Sequence, residues 1–286
     1  MRKSFRAKTE EFISNATRTP LGTILRHGLW RNSGGPNYGR RFVKYFCFVY
    51  TLGGAADYED EVIGARRLVP GDLLLIHPGV GHRYGNGIGG WDEYFVLFEG
   101  PLFDLWKQRK LLDVRQPIVH LEPVPYWQKR LADCAEGEDR SDLASNLKRL
   151  VDLQGFITEV IAAQSAPDRM NARPWLLQAC HQLESNLAEP INWDQFAHSL
   201  GLSTGMFRKL FTQSMGVSPH RYRSAKIIDH ACHLSVEEHK LGKEIAIELG
   251  FATEQHFSRR FKEITGLTLS QFRRQWIAAR RPAIPE

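Results

Sequence analysis

The sequence predicts an α+β multidomain protein: a β-rich N-terminal half, a helical middle and an all-α C-terminal domain. Three observations carry this. Short apolar and aromatic runs separated by Gly/Pro turns fill residues 21–98. From Tyr126 onward the apolar residues fall at helical spacing instead. Near the C-terminus, one pattern of a short helix, a glycine turn and a second helix occurs twice at a nearly fixed offset. With 286 residues, the chain is long enough for more than one domain.

The start, Met1 to Glu11, is charged and lacks the apolar core of a secretory leader. Strand signals begin at about Leu21. Arg41 to Leu52 is a β-branched and aromatic run closed by Gly53-Gly54. Leu73-Leu74-Leu75-Ile76 follows the turn Pro70-Gly71-Asp72, and Trp91 to Phe98 follows the glycine-rich loop Gly85 to Gly90. Short strands with turns at this spacing predict a small β-barrel or jelly roll over residues 1–125. No apolar run reaches the length of a membrane span. Cys47, Cys134, Cys180 and Cys232 are scattered without metal-ligand spacing, as expected of reduced thiols in a cytoplasmic protein.

Pro117, Pro123 and Pro125 are expected to break the chain after the β-domain. Residues 126–165 then read as helices interrupted near Gly137 to Ser141, with Leu143, Leu147, Leu150, Val151 and Phe156 as a rough stripe. The stripe fits either a dimer contact or packing back onto the β-domain. The polar, proline-containing stretch Gln164 to Pro174 places a linker at 166–174, leaving 175–282 as the C-terminal domain.

In the first copy of the repeat, Asn192 can cap a helix through Phe196, Ala197 and Leu200, with Gln195 three residues on. Gly201 suits the left-handed turn that ends it, and Leu202 can plug the core beneath. Ser203 can cap a second helix whose apolar residues Phe207, Leu210 and Phe211 fall at i, i+3 and i+4. Its other face carries Arg208, Lys209 and Thr212. The second copy repeats this with Ala246, Gly250, Thr253, Phe257 and Phe261, leaving Glu254, Gln255, Ser258, Arg259 and Lys262 to face outward. The offset is 49 residues at Gly201/Gly250 and 50 at Phe207/Phe257. Between the copies, Pro219 to about Leu234 reads as a spacer helix with Tyr222, Ala225, Ile228 and Leu234 as its apolar positions.

A short helix, a tight turn and a second helix with a basic outer face is the arrangement that enters a major groove. Charge agrees. Ser203 to Arg281 holds 14 Lys and Arg against 7 Asp and Glu, a net of +7, whereas the whole chain carries +6. The positive charge is therefore concentrated at the repeat, as phosphate binding needs. The competing interpretation, an all-helical bundle with ordinary solvated basic faces, does not explain two copies in step.

The pattern resembles the AraC/XylS family of transcription regulators. The first copy matches at Phe196-Ala197, Gly201-Leu202-Ser203, Phe207, Leu210-Phe211, Gly216-Val217-Ser218-Pro219 and Tyr222. The second matches at Glu244-Ile245-Ala246, Leu249-Gly250-Phe251, His256-Phe257-Ser258-Arg259, Phe261-Lys262, Thr265-Gly266-Leu267 and Phe272-Arg273. The resemblance implies base reading by Gly205, Arg208 and Lys209 in the first copy and by Glu254, Gln255 and Arg259 in the second. Arginine suits guanine and glutamine suits adenine. Ser203, Thr204 and Thr253 suit phosphate at helix starts. The chain departs from the family at Gly205, which has no side chain to read a base, at Ile227, where an Arg is common, and at Leu269, where Pro is usual.

Gly71, Pro78-Gly79, His82 and Asn86 resemble the second motif of cupins, in which His82 would be a metal ligand. Residues 42–69 contain no His, so the partner ligands are missing and His82 is expected as a pocket wall or turn residue, with no metal or other cofactor. His77, followed by Pro78, is expected in a turn. The same half resembles the family's sugar-responsive sensing domains at Pro70-Gly71-Asp72, Pro78-Gly79, His82, Tyr84, Trp91 and Phe98. That resemblance implies ligand contacts from Arg40 or Arg41, His82, Tyr84, Glu93 and Phe95. The expected function is a sequence-specific DNA-binding regulator, not an enzyme. A small-molecule effector, such as a sugar, would bind the cupin-like domain. The expected partners are double-stranded DNA, a second copy of the chain and RNA polymerase, with no membrane. A cupin-type enzyme with a DNA-binding appendage, and a ligand-independent DNA-binding protein whose barrel only dimerises, are the alternatives.

Overall fold

A computed structural model describes residues 8–13, 19–33, 39–85, 90–135, 142–165, 174–236 and 238–280. Asn86, most of the Gly85–Gly90 loop, the Gly137–Ser141 interruption and all of the expected linker but Pro174 lie outside them. The chain divides into two units, residues 1–172 and 173–286.

The first unit contains β1 (Lys8–Ile13), β2 (Thr23–Ser33), β3 (Phe46–Gly54), β4 (Ala56–Asp60), β5 (Gly64–Leu68), β6 (Asp72–Ile76), β7 (His82–Gly85), β8 (Trp91–Glu99) and β9 (Ile118–His120). They form a six-stranded sheet in the order β1-β2-β8-β3-β6-β9 and a three-stranded sheet β5-β4-β7, with every pair antiparallel. The expected barrel or jelly roll thus takes the form of two open sheets, and among the described residues no barrel closes. The larger sheet has its outer face covered by helices: α1 (Pro101–Gln108), α2 (Val124–Ala135) and α3 (Leu143–Ser165).

Burial on both faces explains the apolar runs. Phe46, Phe48 and Tyr50 of β3 point into the core shared with the helices, while Cys47 and Val49 point into the core between the sheets. Leu73 and Leu75 alternate with Leu74 and Ile76 in the same way on β6. A strand buried on both sides loses its polar alternation. On the helical side Phe48 meets Phe156 edge-on at 5.7 Å, and Phe156 meets Trp127 at 6.0 Å. The helical segment therefore packs back onto the sheet through Leu150 and Phe156, while Val151 stays 61% exposed.

Local differences from expectation have clear causes. The run from Arg41 enters β3 only at Phe46, and Arg41 instead makes an isolated bridge to β7, with its N–H on the His82 carbonyl at 2.9 Å and the His82 N–H returned at 3.0 Å. Pro125 does not break the chain but sits in the first turn of α2, where no intrahelical N–H is required. Strands β1 and β9 and helix α1 were not expected.

The second unit is all-helical: α4 (Pro174–Ser185), α5 (Trp193–Ser199), α6 (Thr204–Met215), α7 (Pro219–Val236), α8 (Gly242–Glu248), α9 (Glu254–Thr265) and α10 (Leu269–Arg280). The cap residues expected from the sequence act as such. Asn192 accepts from the Asp194 and Gln195 N–H groups, Ser203 from Met206 and Thr253 from His256. Gly201 (φ 71°) and Gly250 (φ 70°) make the two left-handed turns. Around Gly201 a Cβ would find open space, whereas at Gly250 it would fall 2.1 Å from the Ala188 carbonyl oxygen.

Helix α7 joins the two copies. Its Tyr222 packs edge-on against Phe211 of α6 at 5.6 Å. Its Ile228, Ala231 and Leu234 share a core with Ile245, Ala246, Phe257 and Phe261. Arg223 of α7 is buried and donates to the carbonyls of Leu183, Asn186 and Glu189 at 2.6–2.7 Å. It thereby satisfies carbonyls left open where α4 ends.

Phe257 is fully buried, so Phe257→Ala should cost about 3–5 kcal/mol in chemical denaturation of the second unit. An unchanged midpoint would contradict this packing.

Candidate nucleic-acid interface and ligand pocket

Burial of Phe207 and Phe211 on α6, and of Phe257 and Phe261 on α9, fixes which faces remain outside. Gly205, Arg208, Lys209 and Thr212 are exposed on α6, and Glu254, Gln255, Ser258, Arg259 and Lys262 on α9. On α9, Gln255, Ser258, Arg259 and Lys262 stand at i, i+3, i+4 and i+7, one continuous stripe. Arg208, Lys209 and Arg259 make no ion pair among the described residues, while neighbouring Arg260 is tied to Glu263 at 2.9 Å.

Other expected contacts are partly committed elsewhere. The Ser203 and Thr253 oxygens accept cap hydrogen bonds at 3.4 and 3.1 Å, leaving each hydroxyl proton to donate. The Thr204 hydroxyl donates to Asp194 at the start of α5. The Glu254 carboxylate leans back beside Gly242 of α8. Lys226 stands beside Ile227, where the family commonly has an arginine. It pairs with Glu184 at 3.2 Å and lies 5.6 Å over the Tyr222 ring. Ile227 lines a groove of about 370 Å³ together with His220, His256 and Arg259, a feature that the sequence did not announce.

In the first unit a pocket of about 170 Å³ lies between the sheets. Arg41, His82, Tyr84, Glu93 and Phe95 all line it. Arg40 does not; it faces outward and pairs with Glu59 at 3.4 Å and Glu61 at 3.8 Å. Successive residues of an extended segment point oppositely, so only one of the two arginines can face in. The sequence did not single out Arg26, Trp30, Tyr45 and Cys47 as lining residues. Phe98 belongs to the opposite core, and Trp91 is buried between the sheets.

The pocket's polar groups form one network. The Arg41 Nε donates to His82 Nε2 at 3.3 Å, and His82 Nδ1 donates to the Val80 carbonyl at 3.1 Å. The ring is therefore neutral, and burial holds its pKa below the ordinary histidine value. With Nε2 accepting from Arg41, its lone pair is not available to a metal. Among the described residues, no group of three or more His, Cys, Asp or Glu could hold a metal ion. The Arg41 guanidinium lies 4.9 Å over the Tyr84 ring. Glu93 is fully buried and accepts from the Trp91 indole at 2.6 Å and from the Tyr84 hydroxyl at 3.5 Å. Burial nevertheless pushes its carboxyl up to about 7. His77, expected in a turn, follows β6 fully buried against Phe46 at 5.8 Å; burial lowers its pKa to about 4.

A carboxyl whose folded pKa lies above its unfolded value favours folding most below the unfolded value, and that contribution is lost as pH rises through the folded one. Stability of the first unit should fall by about 3 kcal/mol between pH 4.5 and 7.5 from Glu93, and Glu93→Gln should flatten this fall. Equal pH profiles for both proteins, by chemical denaturation, would show that Glu93 is not the group concerned.

Residues 31–166 match the AraC-like ligand binding domain, and residues 196–275 match a helix-turn-helix domain. An uncharacterised HTH-type transcriptional regulator of Staphylococcus aureus is 31% identical over 110 residues, covering 38% of this chain but only 14% of its own length. The arabinose operon regulatory protein of Salmonella typhimurium is 27% identical over 218 residues, covering 71% of this chain and 75% of its own. The crystal structure of an AraC-type transcriptional regulator from Chromobacterium violaceum shows 28% identity and a TM-score of 0.35, covering 37% of this chain and 94% of that one. Among the described residues no helix is long and apolar enough to cross a membrane. The two domain matches lie where the pocket and the paired helices lie: the chain joins an AraC-like ligand binding domain to an AraC-type helix-turn-helix domain.

Proposed function

We propose that the chain is a sequence-specific DNA-binding transcription regulator, not an enzyme, whose activity is set by a small molecule in the pocket between the sheets. The observation that carries this reading is the pair of capped helices, α6 and α9, each exposing a polar and basic stripe opposite a buried phenylalanine pair. In it, Arg208 and Lys209 contact DNA from α6, and Gln255 and Arg259 read base edges from α9, with Ser258 and Lys262 flanking on phosphate. Residues 175–282 form the DNA-binding domain, and residues 1–125 sense the effector. The segment 126–165 supports the sheet, and 166–174 connects the two domains.

The effector acts by a coupling free energy, binding one arrangement of the chain better than another. Arg41, Tyr84, Glu93 and Phe95 offer it charge, a hydrogen-bonding edge and flat aromatic faces. The position of His82 in the network, with its lone pair on Arg41, favours a binding role over metal chemistry.

A selected DNA site, a scrambled control and a screen of pentoses, hexoses, uronic acids and aromatic acids test both halves. The protein should prefer the selected site. One compound should raise the melting temperature and change DNA affinity. Equal affinity for all DNA would exclude sequence reading, and a silent screen would leave a ligand-independent DNA-binding protein. Arg259→Ala should cost about 1–3 kcal/mol on the selected site and relax preference at one base pair. A uniform loss on every sequence would place Arg259 on phosphate. Lys262→Ala should instead weaken binding uniformly and lower the salt slope by about one.

A further inference from the structure

We propose that the groove between α7 and α9 seats the sugar–phosphate backbone of the DNA strand running beside α9, with His220, Ser224 and His256 donating to one phosphate. The proposal rests on the reading of α9 as a base-reading helix and adds a backbone clamp to it.

Two helix faces wall the groove. On α7, His220, Ser224 and Ile227 stand at i, i+4 and i+7. On α9, His256, Arg259, Arg260 and Glu263 stand at i, i+3, i+4 and i+7. This flank lies roughly 100° round the helix from the stripe of Gln255, Ser258, Arg259 and Lys262, and Arg259 belongs to both. A helix about 10–12 Å across fills a major groove about 12 Å wide, so its front meets bases and its flanks meet phosphates. The flank of α9 that turns towards α7 therefore meets backbone.

The lining fits that occupant. An imidazole carries an N–H in either tautomer, and a hydroxyl carries one O–H. The His220 and His256 rings and the Ser224 hydroxyl have no hydrogen-bond or ion-pair partner among the described residues, so three donors line one groove unused. Glu263, the one carboxylate among the lining residues, is answered by Arg260 at 2.9 Å. Arg259 then leaves the groove with a net positive charge, as a phosphate requires. The floor is apolar: Ile227 and Phe251, which also pack against the core of the second copy. A deoxyribose can set its carbon face on such a floor while its phosphates reach the walls. An arginine at position 227, as the family commonly has, would put a longer, charged side chain there. Isoleucine leaves a space of about 370 Å³ open. Continuity with the reading stripe through Arg259 makes the bound duplex, and not a free nucleotide, the occupant.

The test uses the full chain, a selected duplex and a scan that replaces one phosphate at a time by an uncharged methylphosphonate. The proteins are the native chain, the double variant His220→Ala/His256→Ala, Ser224→Ala, and His230→Ala, an exposed histidine of α7 outside the groove. The double variant should bind selected and scrambled duplexes alike about fivefold more weakly, because phosphate contacts carry no sequence information. His230→Ala should bind as the native protein does. One methylphosphonate beside the base pair that Arg259→Ala relaxes should weaken the native protein about tenfold and the double variant less than about twofold, the non-additivity of groups in contact. Ser224→Ala, which loses only a hydroxyl, should show the same coupling and carries the test if the double variant melts below the native protein. Additive losses at every phosphate, or a double variant that binds like the native protein, would overturn the clamp. A kept preference for the selected duplex would then leave the DNA reading intact. A native protein without a preferred site would overturn both. Free thymidine monophosphate that raises the melting temperature of the native protein but not of the double variant, with no coupled phosphate in the duplex, would make a free nucleotide the occupant and overturn the clamp as well.

Discussion

Helix α7 is the constraint on which the DNA-facing unit depends. It is 18 residues long, about 27 Å of rigid rod, and each end is built into one copy of the repeated motif. Tyr222 belongs to the first copy's core, and Ile228, Ala231 and Leu234 belong to the second's. Neither copy can turn without unpacking its share of α7. The geometry between α6 and α9 is thus set by ordinary core packing. Arg223 extends the same logic to α4, whose last carbonyls it binds.

In the other unit the governing feature is a sheet buried on both faces. One face, roofed by α1, α2 and α3, is sealed with large aromatics. The other meets a smaller sheet that covers it incompletely, and the pocket occupies the remaining gap. Support and binding are divided between the two sides of the same strands: on β8, Tyr94, Val96 and Phe98 hold the helices, while Glu93 and Phe95 face the pocket.

Much of this was legible in the sequence because the signals are local or repeated. Asn192, Ser203 and Thr253 cap as their chemistry dictates, and the duplicated spacing marks Gly201 and Gly250 as turns. The buried phenylalanines follow from the same spacing. Features that depend on distant partners were hidden. Arg223 looks like any surface arginine until three carbonyls 34–40 residues away are brought to it. The order in which strands pair has no local code, so two open sheets and a closed barrel read alike. The pocket positions came from family resemblance more than from residue type, and the choice between Arg40 and Arg41 needed the bridge to His82 to decide it.

The two glycine turns are equal in backbone angle but unequal in surroundings. Gly201 needs glycine only for its dihedral, a requirement that asparagine can also meet. Gly250 needs it twice, because the Ala188 carbonyl occupies the space of a side chain. The duplicated halves therefore do not have equal freedom to drift. The first can change its turn residue in single substitutions without a clash. The second is locked by the Ala188 carbonyl, so change in that half is confined to the exposed residues of α9.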